Sequence, residues 1–215
     1  MFDFAFRIRR CCVASFALVT ACVGLAGSGQ CAVDMNLVSS FGGDYNAVDN
    51  DGDIACVAEG ARLRVYDTSI PTSPALLGQI LLPGRIDDVA VSGTLVAAGG
   101  ENAAHLVSIS DPALPALLGS YPMPVTAHGV AFKDNQLYVA AESAGLKILN
   151  ITDPTSPTLT AEYAASGSVA DVTLSGTLAF LACRNSGMEI ANVSDPSLRN
   201  SSAHSVRLAL RCPLL

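Results

Sequence analysis

Tryptophan is absent from this 215-residue chain, and aromatic residues make up only 6% of it. Such a composition offers neither a base-stacking platform nor an aromatic cradle for sugars. Basic residues are scarce too, with 12 Lys and Arg against 19 Asp and Glu. Past residue 22 the balance is nine bases to 18 acids. That favours solubility and argues against nucleic acid or anionic lipid as the main partner. Helical periodicity is missing: after residue 37 no stretch carries apolar residues at i, i+3, i+4 and i+7 for long enough. There is no G-x-S-x-G, H-E-x-x-H, phosphate-binding glycine loop or C-x-x-C pair. Ser, His and Asp all occur, but no spacing assembles them. The sequence therefore assigns no catalytic residue, no cofactor and no metal ion.

What the chain does have is repetition. Pro71, Pro112, Pro154 and Pro196 recur at spacings of 41, 42 and 42 residues. The surrounding segments read LRVYDTSIPTSP, AHLVSISDPALP, LKILNITDPTSP and MEIANVSDPSLR. A fixed period of this size indicates an array of identical supersecondary units. Each unit contains four short apolar runs bounded by Gly, Pro, Asn, Asp and Ser, the pattern of β-strands. In the third run Leu63 and Val65 align with Ala104 and Leu106, with Leu146 and Ile148, and with Met188 and Ile190. A period of two buries one face, and Asp67, Ser108, Asn150 and Asn192 then begin a polar turn that Pro ends. Asp51-Gly52, Ser92-Gly93, Asp134-Asn135 and Ser175-Gly176 are hairpin dipeptides tolerant of positive φ. The expected fold is all-β: a propeller-type array of about four four-stranded antiparallel blades over residues 37–198.

These residues resemble the LVIVD-repeat proteins. Their repeat combines an L-x-I-x-D/N-V-S-D-P-x-x-P stretch with a D-V-A-V-x-G-x-x-A-Y-V-A stretch. LKILNITDPTSP at 146–157 and DVAVSGTLVAA at 88–98 carry the likeness, which recurs four times. The resemblance implies a β-propeller on a secreted or surface-attached bacterial protein, and no defined reaction.

Residues 37–41 read like the fourth strand of a blade arriving before any first strand, able to close the last blade. The last 17 residues, 199–215, share nothing with the repeat and carry three Arg but no acid. They are expected to lie outside the array, either as a frameshifted end or as a capping tail. The propeller is accordingly read as incomplete.

Residues 1–33 read as an export segment, with Arg7, Arg9 and Arg10 ahead of an apolar run too short to span a bilayer. Leu18-Val-Thr-Ala-Cys22 resembles a lipobox, making Cys22 a candidate lipid anchor; simple cleavage near Gly29 or Ala32 is the alternative. The expected address is outside the cytoplasm, at the cell envelope, with membrane contact only through such an anchor. Of the seven Cys, Cys56 and Cys183 fall in or beside strands and read as small buried hydrophobes.

Two clusters invite a site. Asp49, Asp51 and Asp53 mimic the start of a calcium loop, but Gly comes too early and position 12 is Gly60, so a plain hairpin is expected. Asn46, Asp88, His128 and Asp171 stand near the start of the innermost strands and would ring one mouth of the channel. Asp88, His128 and Asp171 are thus candidate binding residues for a cation or small ligand. The competing reading is that each polar side chain caps a neighbour's backbone. Three functions follow: a binding or scaffolding module for a protein or glycan at the envelope, a hydrolase or lyase using the acids around His128, or a truncated product with no function of its own.

Overall fold

The computed structural model describes residues 45–194 and the strand 206–208. The export segment expected at 1–33, with Cys22, and the strand expected at 37–41 lie outside the described residues. Blade 1 comprises β1 (Ala47–Asp51), β2 (Ile54–Glu59), β3 (Arg62–Asp67) and β4 (Ala75–Leu81). Blade 2 comprises β5 (Ile86–Ser92), β6 (Leu95–Gly100), β7 (Ala103–Ser108) and β8 (Ala116–Pro122). Blade 3 comprises β9 (Gly129–Lys133), β10 (Gln136–Ala140), β11 (Leu146–Asn150) and β12 (Thr158–Tyr163). Blade 4 comprises β13 (Val169–Ser175), β14 (Leu178–Cys183), β15 (Gly187–Asn192) and β16 (Val206–Leu208). Each is a four-stranded antiparallel sheet with its strands in chain order. Among the described residues there is no α-helix.

Local chemistry repeats with the sheets. The first hairpin of each blade turns on Gly52, Gly93, Asp134 or Gly176, all at φ between 50° and 57°. The third strand ends the same way each time. Asp67, Ser108, Asn150 and Asn192 each accept the backbone N–H two residues ahead, at 2.8, 3.3, 2.9 and 2.9 Å. This self-bonded corner stops the ladder and starts the excursion to the outer strand.

The core lies between blades. Cys56, Leu63 and Val65 of blade 1 pack on Val89, Val96 and Val107 of blade 2. Ala97 and Leu106 of blade 2 meet Val130, Leu137 and Leu149 of blade 3. Tyr138, Leu146 and Ile148 of blade 3 meet Val172, Ala179 and Leu181 of blade 4. Burying each Val or Leu contributes about 1.5–3 kcal/mol, so these three seams hold the array together. The Pro corner adds a further joint. A Cβ at Gly119 on β8 would lie 2.5 Å from Pro154 O and 2.7 Å from Thr155 O, so the corner of blade 3 sits directly on the outer strand of blade 2. Gly78 meets Pro112 and Ala113 in the same way.

The innermost strands β1, β5, β9 and β13 follow one another, each packed on the next, and no comparable packing returns from β13 to β1. The described blades form an open arc. One expectation is corrected. Val206–Leu208, in the tail expected to stay outside the array, pairs with β15 through Met188↔Leu208 and Ile190↔Val206. Leu208 takes the place that Ile80, Tyr121 and Tyr163 hold in the other blades. The fit was hidden because Leu208 stands 12 residues after its Pro where the others stand nine after theirs. The longer connection displaces the strand along the sequence without displacing it from the sheet.

Candidate functional site

The start of each inner strand is polar, and the structure shows what those groups do. An innermost strand is a sheet edge, so alternate N–H groups face the channel and need acceptors. The preceding blade supplies them. Asp88 Oδ2 accepts the Val130 N–H at 2.7 Å, Asp49 Oδ2 accepts the Val91 N–H at 2.8 Å, and Asp51 Oδ2 accepts the Gly93 N–H at 2.7 Å. Asn46 donates across the same seam from Nδ2 to Ile86 O at 2.9 Å. Asp49 and Asp51 are therefore spent on backbone, as a plain hairpin requires, and do not converge on an ion. Among the described residues no group of three or more His, Cys, Asp or Glu is arranged to hold a metal.

The candidate binding residues do not share one position. Asp88 pairs with Gly99 and Asp171 with Ala182, which makes those two counterparts. His128 lies one residue before Gly129, the counterpart of both. It matches Asp87, the extra residue of a bulge between Ile86 and Asp88. In blade 3 the position itself is Gly129, and the polar side chain stands one residue earlier. Asp88 is buried, whereas His128 and Asp171 are half-buried.

His128 bonds Asp87, not Asp88. Its Nδ1 lies 2.9 Å from Asp87 Oδ2, and its Nε2 lies 3.1 Å from Nη2 of Arg184, in the short turn between β14 and β15. Arg85 Nη2 closes the other end at 2.8 Å from Asp87 Oδ1. Roles follow from chemistry. A guanidinium only donates, so Nε2 accepts; a carboxylate accepts, so Nδ1 carries the hydrogen. The chain Arg85–Asp87–His128–Arg184 thus crosses three blades with a neutral imidazole at its centre. An Asp–His pair is the orienting half of a general-base arrangement. Here the nitrogen that would take a proton is engaged by Arg184, and the pair works as a clamp.

Two further polar groups escaped the sequence reading, each the third residue of its blade's third strand. Buried His105 has Nε2 3.0 Å from Pro83 O and Nδ1 2.7 Å from Ser120 Oγ. The carbonyl only accepts, so Nε2 carries the hydrogen, and burial pushes this imidazole below its ordinary pKa. Glu189, 2% exposed, accepts from Tyr163 Oη at 3.0 Å, from the Ser166 N–H at 2.9 Å and from the Ser166 hydroxyl. Strand alternation did not mark them, because each is buried with partners that only the fold brings up: Pro83 and Ser120 for His105, Tyr163 and Ser166 for Glu189. Cys56 and Cys183 are buried free thiols, pushed up to about 12 and about 11, chiefly by desolvation.

A family model described as the LVIVD repeat matches residues 42–81, 83–122, 126–165 and 166–201. No curated protein matches the chain. Among solved structures it is similar to the computationally designed Ika4 protein, at 12% identity and a TM-score of 0.60, over 72% of this chain and 94% of that one. It is similar to the computationally designed Ika8 protein at 12% identity and a TM-score of 0.57, over 70% of this chain and 46% of that one. RRP9 WD40 repeats match at 15% identity and a TM-score of 0.58, over 74% of this chain and 51% of that one. At these identities the likeness is one of fold, the β-propeller.

Proposed function

The chain belongs to the LVIVD-repeat family, and from that premise we propose that it is an exported β-propeller acting as a binding or scaffolding module at the cell envelope. The repeat fold supports a binding or scaffolding role in general. The observation that carries this reading further is the use of the inner-strand acids: Asp49, Asp51 and Asp88 accept backbone N–H groups of the next blade. Polar groups committed in this way to backbone of the next blade support a scaffold. The contact surface of this reading is the leading end of the inner strands, which carries half-buried His128 and Asp171 and buried Asp88. The partner is a protein or glycan of the envelope. Attachment through Cys22 is the favoured anchor, given LVTAC behind an Arg-rich start.

Expression of the full chain in a bacterial host, followed by fractionation, tests the address. Recovery in the envelope with a diacylglyceryl-modified Cys22 supports the anchored form. An unmodified terminus near Ala32 leaves simple secretion, and a cytosolic unprocessed chain overturns the proposal. Saturable binding of an envelope glycan or protein, weakened by Asp171→Ala, supports the module. Substrate turnover abolished by His128→Ala would replace it with the hydrolase or lyase reading.

A further inference from the structure

The short turn between β14 and β15, Arg184–Ser186, buries no residue. Its Arg184 N–H donates to Ser168 O at 2.9 Å and its Ser186 hydroxyl to Ser166 O at 3.3 Å, both in the segment that leads into blade 4. Toward blade 3 it reaches through Arg184 Nη2, 3.1 Å from His128 Nε2. That contact holds only while Nε2 is a bare acceptor. A guanidinium offers donors and no acceptor, so it cannot bond a nitrogen that carries a hydrogen. Imidazole is the side chain whose ordinary change of charge falls between about pH 5 and 8. Protonation turns Nε2 into a donor and sets two cations face to face. Nδ1 behaves differently. It donates to Asp87 Oδ2 at 2.9 Å in either charge state, and Arg85 holds the same carboxylate at 2.8 Å. The charged ring therefore keeps its tie to blade 2, and Arg184 loses its tie to the ring.

We propose that the Arg85–Asp87–His128–Arg184 chain is a pH-sensitive switch: neutral His128 fastens the Arg184 turn of blade 4 to blade 3, and protonated His128 lets it go. The charged groups around the ring fit this. From β5 come Asp87 and Asp88, and Asp88 is spent on the Val130 N–H at 2.7 Å. From β13 comes half-buried Asp171. Neither β6 nor β10 carries a charge; Glu101 follows the first, 4.0 Å from Arg85, and Glu142 follows the second. On β9 itself Lys133 lies at the far end, donating to Gly176 O at 2.6 Å. Among the described residues no carboxylate pairs with Arg184. No ion pair there takes over the guanidinium once the imidazole turns it away. Acid thus adds a positive charge at the leading end of the inner strands and frees a guanidinium beside it. That pH then sets the charge of a contact surface rests on the reading proposed above; the switch itself does not.

The test is nitrogen NMR of the histidine and arginine side chains in the full chain, titrated from about pH 8 to about pH 5. At the upper end His128 should carry its hydrogen on Nδ1, with Nε2 bare, and the Arg184 guanidinium should rotate slowly. As Nε2 takes its proton, that rotation should quicken roughly tenfold or more, as for loss of a hydrogen bond to a charged group. Both changes should share one midpoint. His128→Gln should hold Arg184 across the whole range, because its amide N–H can meet Asp87 and its amide oxygen can meet Arg184 without titrating. The wild-type titration decides the matter even where that variant does not fold. No partner enters either measurement, so a failure to find one leaves the switch standing. A hydrogen on Nε2 at the upper end, a guanidinium still held after the ring is protonated, or release in His128→Gln at the wild-type midpoint would overturn the proposal.

Discussion

Asp88 on β5 accepts the backbone N–H of Val130 on β9 at 2.7 Å, from one blade to the next. Asp49 makes the same kind of bond to Val91 one blade earlier. The carboxylate meets a donor at a strand edge that no further strand will cover, so losing it leaves a buried N–H without an acceptor. Asp88→Ala should cost about 1–3 kcal/mol. Asp88→Asn keeps an acceptor oxygen and should cost less. Denaturant unfolding of the two variants checks the order, and equal stability of Asp88→Ala and wild type would remove this bond from the architecture.

Gly119 should tolerate no side chain. Its Cβ would stand 2.5 Å from Pro154 O and 2.7 Å from Thr155 O, and both are backbone atoms of a corner closed on itself. Gly119→Ala must push the Pro corner of blade 3 away from β8, at a cost of about 1–3 kcal/mol. Thermal unfolding reads the loss. A Tm equal to that of wild type would show that the corner yields freely.

Stability should fall on acidification in a way that depends on His105. Burial lowers its pKa from the ordinary 6.5. The unfolded chain then binds the proton more readily than the folded one, so the contribution of His105 is present above about pH 6.5 and is lost as pH falls through the folded value. His105→Gln should flatten the pH dependence of unfolding below pH 6.5, where wild type declines. An unchanged slope would show that other groups carry it.

The repeat was legible because it is chemical. The Asx and Ser corners, the hairpin glycines and the alternating third strands each declare themselves from local residues. The seams were legible only in part. That Leu63 and Val65 face inward follows from period two; that Arg184 of blade 4 reaches His128 of blade 3 does not, since the two are 56 residues apart and joined only by the fold. His128 was aligned with Asp88 because it is the polar residue beside Gly129, which holds the Asp88 position in blade 3. The tail strand escaped because the signal lay in spacing from Pro196, and that spacing is longer in blade 4. Asp88 and Asp171 stand on inner strands, and His128 lies just before one. Their partners across the seams were beyond what spacing could give.

Cys56 and Cys183 should resist thiol reagents in the folded protein. Both are buried, and desolvation pushes them up to about 12 and about 11, leaving almost no thiolate at neutral pH. Labelling with an alkylating reagent should be slow until denaturant is added. Fast labelling of either in native buffer would show that its seam opens.

The claim that polar groups at the strand starts join blades meets its most direct test in a double-mutant cycle on Asp87 and His128. Their side chains are 4% and 11% exposed and lie 2.9 Å apart, from adjacent blades. Unfolding free energies of Asp87→Ala, His128→Ala and the double variant should reveal a coupling of about 0.5–3 kcal/mol, as for groups in one network. Additive losses, with no coupling between the two residues, would contradict the claim and return His128 to the list of groups free to act on a ligand.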